Sequence, residues 1–126
     1  MSKFVTIKTE VRDGAVLEET LRDLGYQYQK GEALRVRGYY AQQQRTAEIV
    51  IKREDTGFVG DVGFARNSEK YNVVMDHMDE YRFMPFFNQA YSRRKILKEA
   101  TRLGFRVTSE QKQADGSLRL VVSRYA

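Results

Sequence analysis

The chain has 126 residues, with 41% apolar and 31% charged side chains, a balance that fits one folded domain with one core and argues against disorder. It contains no cysteine, so disulfides, thiolate nucleophiles, zinc fingers and cysteine-ligated clusters are excluded within it. Twenty-two basic and 17 acidic residues leave a net charge of +5, a mild field that favours acidic partners, nucleic acid or anionic lipid.

The opening residues, Met1 to Lys8, hold no long apolar stretch, so they do not read as a signal peptide. No run approaches the roughly 20 apolar residues of a membrane span. These features give the expectation of a protein of the cytosol, or of the stroma of an organelle that encodes its own copy, without membrane insertion. From Lys3 to Glu10 the chain alternates, with Val5, Ile7 and Thr9 on one face, which predicts a strand. Asp13 is placed to cap a helix from about Gly14 to Leu24, where Leu17, Leu21 and Leu24 form one apolar stripe. Gly25 stands where a left-handed stop is expected.

Short strands follow at Ala33 to Tyr40, Thr46 to Arg53, Phe58 to Ala65 and Tyr71 to Asp76, with a hairpin turn at Asn67-Ser68-Glu69-Lys70. In the second of these, Ala47, Ile49 and Ile51 share a side. Asp76 to Arg82 is polar and reads as a loop. Pro85, favoured at a first helical position, then predicts a helix running to about Leu103. Its expected buried side is Phe86, Ala90, Leu97, Ala100 and Leu103, with Ile96 beside them, and Arg93, Arg94, Lys95 and Lys98 make its middle basic. Two closing strands, Phe105 to Gln111 and Ser117 to Arg124, flank a turn at Asp115-Gly116.

Leu24-Gly25-Tyr26 ends the first helix and Leu103-Gly104-Phe105 ends the second. A strand hairpin follows each. The predicted architecture is therefore a single α+β domain over residues 1–126: an antiparallel sheet with two helices packed on one face, ferredoxin-like with extra central strands and a pseudo-twofold relation.

Four clusters are candidates for chemistry. In Arg35-Val36-Arg37-Gly38-Tyr39-Tyr40, a strand would place Arg35, Arg37 and Tyr39 on one face, suited to base stacking and phosphate pairing. The plainer reading is an edge strand whose arginines pair with Glu32 or Glu48. Asp76, His77 and Asp79 bring carboxylates and the single histidine together and are weak candidates for a metal, though their spacing fits no calcium loop. Asp61, among glycines, is suited to act as a base or to bind backbone amides, and the latter is preferred. Arg93 and Arg94 sit on a face that is either solvated or docks an acidic protein surface. No activated nucleophile, catalytic set or cofactor motif emerges.

These readings leave a ranked set of functions. The first is a non-enzymatic accessory or adaptor domain that binds a protein partner, acidic in character, through Arg35, Arg37, Tyr39, Tyr40, Arg93 and Arg94. An RNA-binding module using the same residues is the alternative, and a metal-dependent enzyme built on Asp61, Asp76, His77 and Asp79 is the third. No cofactor is expected. Pairing of two subunits through exposed edge strands stays open.

Several short pieces occur in a fixed order: Phe4 with Ile7-Lys8-Thr9, Asp23-Leu24-Gly25, Val36-Arg37-Gly38-Tyr39, Asp61-Val62-Gly63-Phe64, Tyr71 through Asp76, Gln89-Ala90-Tyr91, and Asp115-Gly116-Ser117 with Leu120-Val121-Val122. Together they resemble the family of the conserved hypothetical chloroplast reading frame thirty-five, the domain of unknown function 1257, found in cyanobacteria and algal plastids. The resemblance spans nearly the whole chain. It implies a soluble accessory protein and brings no catalytic residues. The ending Tyr125-Ala126 departs from the tryptophan more usual near that position in the family.

Overall fold

The computed structural model describes residues 3–40 and 44–124, so the terminal Tyr125 singled out above lies outside the described residues. The elements in chain order are β1 (Phe4–Lys8), α1 (Gly14–Asp23), β2 (Gln29–Arg37), β3 (Gln44–Ile51), the short α2 (Arg53–Thr56), β4 (Val62–Asn67), β5 (Lys70–Asp76), a 3-10 turn (His77–Asp79), α3 (Glu80–Arg102), β6 (Phe105–Lys112) and β7 (Leu118–Arg124). The α+β class stands. Five strands form one sheet in the order β1-β5-β4-β3-β2, and every neighbouring pair is antiparallel.

α1 forms where its cap predicts. The Asp13 carboxylate accepts hydrogen bonds from the backbone N–H groups of Ala15 and Val16, satisfying two of the orphan donors of the first turn. Val16, Leu17 and Leu21 are buried, and Leu24 packs against them. On the same side of the sheet lie Ile49, Ile51, Val62, Phe64, Val73 and Met75, and the α3 residues Phe83, Met84, Phe87 and Tyr91. An aromatic stack runs through this core: Phe83 and Phe87 lie 5.4 Å apart, Phe87 and Tyr91 5.8 Å, and Phe64 is 5.1 Å from Phe87. Both long helices thus cover one face of the sheet.

The opposite face carries a second, smaller cluster of Val36, Ala47, Val50 and Val74, with Phe4, Leu34 and Ala65 packed on it. Ala47 belongs to this cluster, not to the side of Ile49 and Ile51 that alternation predicts. The ladder is irregular at that point. Lys30 pairs with Ile49 and Leu34 with Ala47, so three residues of β2 stand against one of β3, and Ala33 takes a φ of 48°. Glycine at position 63 has a steric reason. A Cβ built there would lie 2.5 Å from Cγ2 of Val36 and 3.0 Å from Cβ of Ala47, so β2 and β3 close onto β4 only because that atom is missing. Arg45 reaches from β3 to 5.8 Å from the Phe4 ring on β1, which shows how far the sheet curls.

Two expectations change in the C-terminal half. The first concerns α3, which begins at Glu80, before Pro85, so that the expected loop is replaced by the end of β5, the 3-10 turn and the first three residues of the helix. Its buried side is Phe83, Met84, Phe87, Tyr91 and Ala100, and Phe86, Ile96 and Leu103 are exposed. Starting the helix earlier brings Phe83-Met84 into register with Phe87 and Tyr91, at four- and eight-residue spacing, and rotates Phe86 outward. The second concerns the pseudo-twofold. Gly25 and Gly104 end their helices at φ 82° and 83°, as the repeated Leu-Gly-aromatic pattern predicts. The hairpin after α1 joins the main sheet, whereas β6 and β7 form a separate two-stranded sheet beside α3. A ferredoxin-like sheet also holds its first strand inside, and here β1 is an edge that pairs only with β5.

Candidate functional site

The clusters marked from sequence do not assemble into one surface. β2 ends at Arg37, so Tyr39 and Tyr40 lie beyond the strand and do not continue the face of Arg35. They are exposed and pack edge-to-face with ring centres 4.9 Å apart. Arg35 is exposed as well. Arg37 turns inward. Its Nε and Nη2 donate to the two oxygens of Asp61 at 2.8 and 2.9 Å, and Nη2 also bonds Glu54. For Arg37 the expected partners Glu32 and Glu48 give way to Asp61 and Glu54, and Glu48 instead accepts the N–H of Arg66.

Asp61 is 1% exposed. Besides the guanidinium it accepts the backbone N–H groups of Arg37 and Arg53, each at 2.8 Å. It therefore staples the end of β2 to the start of α2, and four donors hold its charge in place. The same contact holds the Arg37 guanidinium well above its ordinary range, and the Arg37 hydrogen bond pulls the Glu54 carboxyl down to about 2.

Of Asp76, His77 and Asp79, the first two stay close, with His77 Nδ1 3.7 Å from an Asp76 oxygen, and Asp79 turns to another loop. Asp76 accepts the N–H of Met78 and caps the 3-10 turn. Asp79 is buried and accepts the N–H groups of Val59 and Gly60, fixing the loop before β4. Nδ1 of His77 accepts the N–H of Lys3. Among the described residues, no group of three or more histidine, aspartate or glutamate side chains is arranged to hold a metal ion.

The basic middle of α3 is largely neutralised. Arg93 forms a forked pair with Glu110 on β6, Arg94 with Asp23 at the end of α1, and Lys98 with Asp13. The Arg93 hydrogen bond lowers the pKa of Glu110, and the Lys98 hydrogen bond lowers that of Asp13. These pairs act as struts between α3 and its two neighbours.

Between the struts runs a groove of about 530 Å³, lined by Asp23 and Leu24 on one wall, Glu110 and Leu118 on the other, and Phe86, Gln89 and Ala90 of α3 along its floor. Phe86 is 57% exposed. The hairpin that forms one wall has an unfinished interior. Register pairs Val107 with Val122, Glu110 with Leu120 and Lys112 with Leu118, so these share the face that Glu110 turns toward Arg93. Phe105, Val107, Leu118, Leu120 and Val122 recur at the spacing of a strand with one buried side, yet none of the five is buried. Sequence reasoning missed this site because it assigned Phe86 to the core. The alternation at Leu118, Leu120 and Val122 was the available signal, but periodicity alone does not reveal whether an apolar face is covered.

Among the described residues no helix is long and apolar enough to cross a membrane. No solved structure matches the chain. Three relatives do, all described as uncharacterized protein ycf35. That of Cyanophora paradoxa is 29% identical over 133 aligned positions, and that of Pyropia yezoensis 29% over 131. That of Guillardia theta is 30% identical over 131, and each of the three alignments covers 99% of this chain and 98% of the relative. Residues 20–121 match the model of a protein family of unknown function, DUF1257. From the end of α1 almost to the end of β7, and so across the groove and the staples around it, this chain belongs to the DUF1257 family.

Proposed function

We propose that the protein is a non-enzymatic accessory domain that binds a partner protein in the cytosol or the plastid stroma, and that the groove between α3 and the β6–β7 hairpin is its recognition surface. The observation that carries this reading is the incompletely covered apolar face of the hairpin, set against the exposed Phe86. A two-stranded hairpin is marginal in water unless something packs on it, and apolar surface left open beside a concave floor is characteristic of interaction sites. Two of the three buried acids among the described residues support the same reading, because Asp61 and Asp79 spend their oxygens on backbone amides and on Arg37.

A photo-crosslinking phenylalanine analogue at position 86, expressed in the native cell, is expected to form protein adducts that the same analogue at position 39 does not. Adducts at 39 alone would return the partner surface to Arg35, Tyr39 and Tyr40.

The tyrosine pair favours one second reading, RNA binding just after β2, because two exposed rings in contact offer a stacking platform. Single-stranded RNA would then bind with an affinity that falls steeply with salt and is lost in Tyr39→Ala.

A further inference from the structure

The net charge of +5 is unevenly placed. Residues 1–79 carry 12 basic and 13 acidic side chains, and residues 80–126 carry ten basic and four acidic ones, so the first part is −1 and the second +6. α3 and the hairpin, which build most of the groove, both belong to the second part. The arginines in the groove walls are already paired with Asp23 and Glu110. Others are not. Arg82, one helical turn before Phe86, lies over the Tyr81 ring and donates to its hydroxyl, and Lys112 stands opposite Leu118 in the hairpin register. Neither forms an ion pair among the described residues.

We propose that the groove takes an acidic amphipathic segment of a partner protein, with apolar side chains seated on Leu24, Phe86, Ala90 and Leu118 and carboxylates facing Arg82 and Lys112. The inference rests on the protein-binding reading above and adds the chemistry of the partner. Three features select this occupant. The floor and walls supply aliphatic and aromatic contacts for apolar side chains. The positive field of this part of the chain steers an acidic segment toward it. The remaining acids near the groove are consumed by Arg93 and Arg94, so they do not repel one. Nucleic acid fits less well, because Phe86 is the single aromatic ring among the lining residues and the arginines there are taken up by Asp23 and Glu110. A membrane surface fits less well because the site is concave and walled.

The test uses the full chain and a fluorescein-labelled peptide of about 15 residues, with leucines at helical i, i+3, i+4 and i+7 spacing and glutamate elsewhere. Its control carries lysine in place of glutamate. Fluorescence anisotropy is expected to show the glutamate peptide binding at least about ten-fold tighter than the control, and less tightly as salt rises. Phe86→Ala is expected to weaken it roughly ten-fold, and Arg82→Glu with Lys112→Glu to weaken it further, with circular dichroism confirming that each variant is folded. Equal binding of the two peptides would overturn the acidic assignment and leave the protein-binding reading standing, provided Phe86→Ala still weakens both. Binding indifferent to Phe86, or no binding of either peptide to folded protein, would overturn the proposal. So would a mixed-sequence RNA oligonucleotide or phosphatidylglycerol vesicles that bind in a Phe86-dependent way when the peptide does not.

Discussion

Burying a carboxylate is costly unless its oxygens find donors. Asp61 meets that condition with a guanidinium fork and two backbone amides, which makes it structural. Asp61→Ala would leave Arg37 Nε and two backbone amides without their acceptor. It is expected to lower stability by about 3 kcal/mol in urea unfolding. Gly63 makes the opposite kind of demand, for space and not for partners. Gly63→Ala is expected to destabilise by about 2 kcal/mol, because its new Cβ overlaps Val36. Combined with Val36→Ala it should cost less than the two single changes added together, since each relieves the other. From sequence, Asp61 was already read as a binder of backbone amides. Which amides it binds depends on Arg37 and Arg53 arriving from elsewhere in the chain, and no local pattern encodes that.

Among the elements, α1 was the most legible, because its cap, stripe and stop are all local: Asp13, Leu17 with Leu21, and Gly25. α3 was legible in existence but not in phase. Pro85 resembles a start signal, yet it is the sixth residue of the helix, where the core contacts of Phe83, Met84 and Phe87 hold the turns on either side of it. That shift in phase moved Phe86 from the core to the groove, which hid the candidate site from sequence reasoning. The β6–β7 hairpin was placed correctly as a hairpin, and its separation from the main sheet was not foreseen. With no buried residue of its own, it is expected to be the least protected element. Hydrogen exchange should show its amides exchanging well before those of β3, β4 and β5. Arg93→Ala should speed that exchange further by removing the strut to Glu110.

For the whole molecule, ion pairs are the fasteners between layers: Arg94 with Asp23, Lys98 with Asp13, Arg93 with Glu110, and Arg37 with Glu54. The carboxyls of Asp13, Glu54 and Glu110 all lie below their ordinary values through hydrogen bonds from those cations. Each is more acidic folded than unfolded. Their stabilisation is therefore fully present above about pH 4.5, and it falls away as pH drops toward the value of about 2 that Glu54 reaches. Unfolding followed by denaturant between those limits should show this loss, and added salt should flatten it, because these groups are largely exposed.

The sheet has two outer strands, and β2 is the longer of them. A long unpaired strand is a template onto which another chain can add its own backbone, and repetition of that step makes fibres. The three residues Gly31, Glu32 and Ala33 break the even spacing of donors and acceptors along that border, and Ala33 holds the backbone in a turn that an incoming strand cannot match. What looks like a flaw in the ladder thus makes that border a poor template for an added strand. Deleting two of those residues is expected to straighten the border and to raise light scattering of the protein at temperatures where circular dichroism still shows it folded.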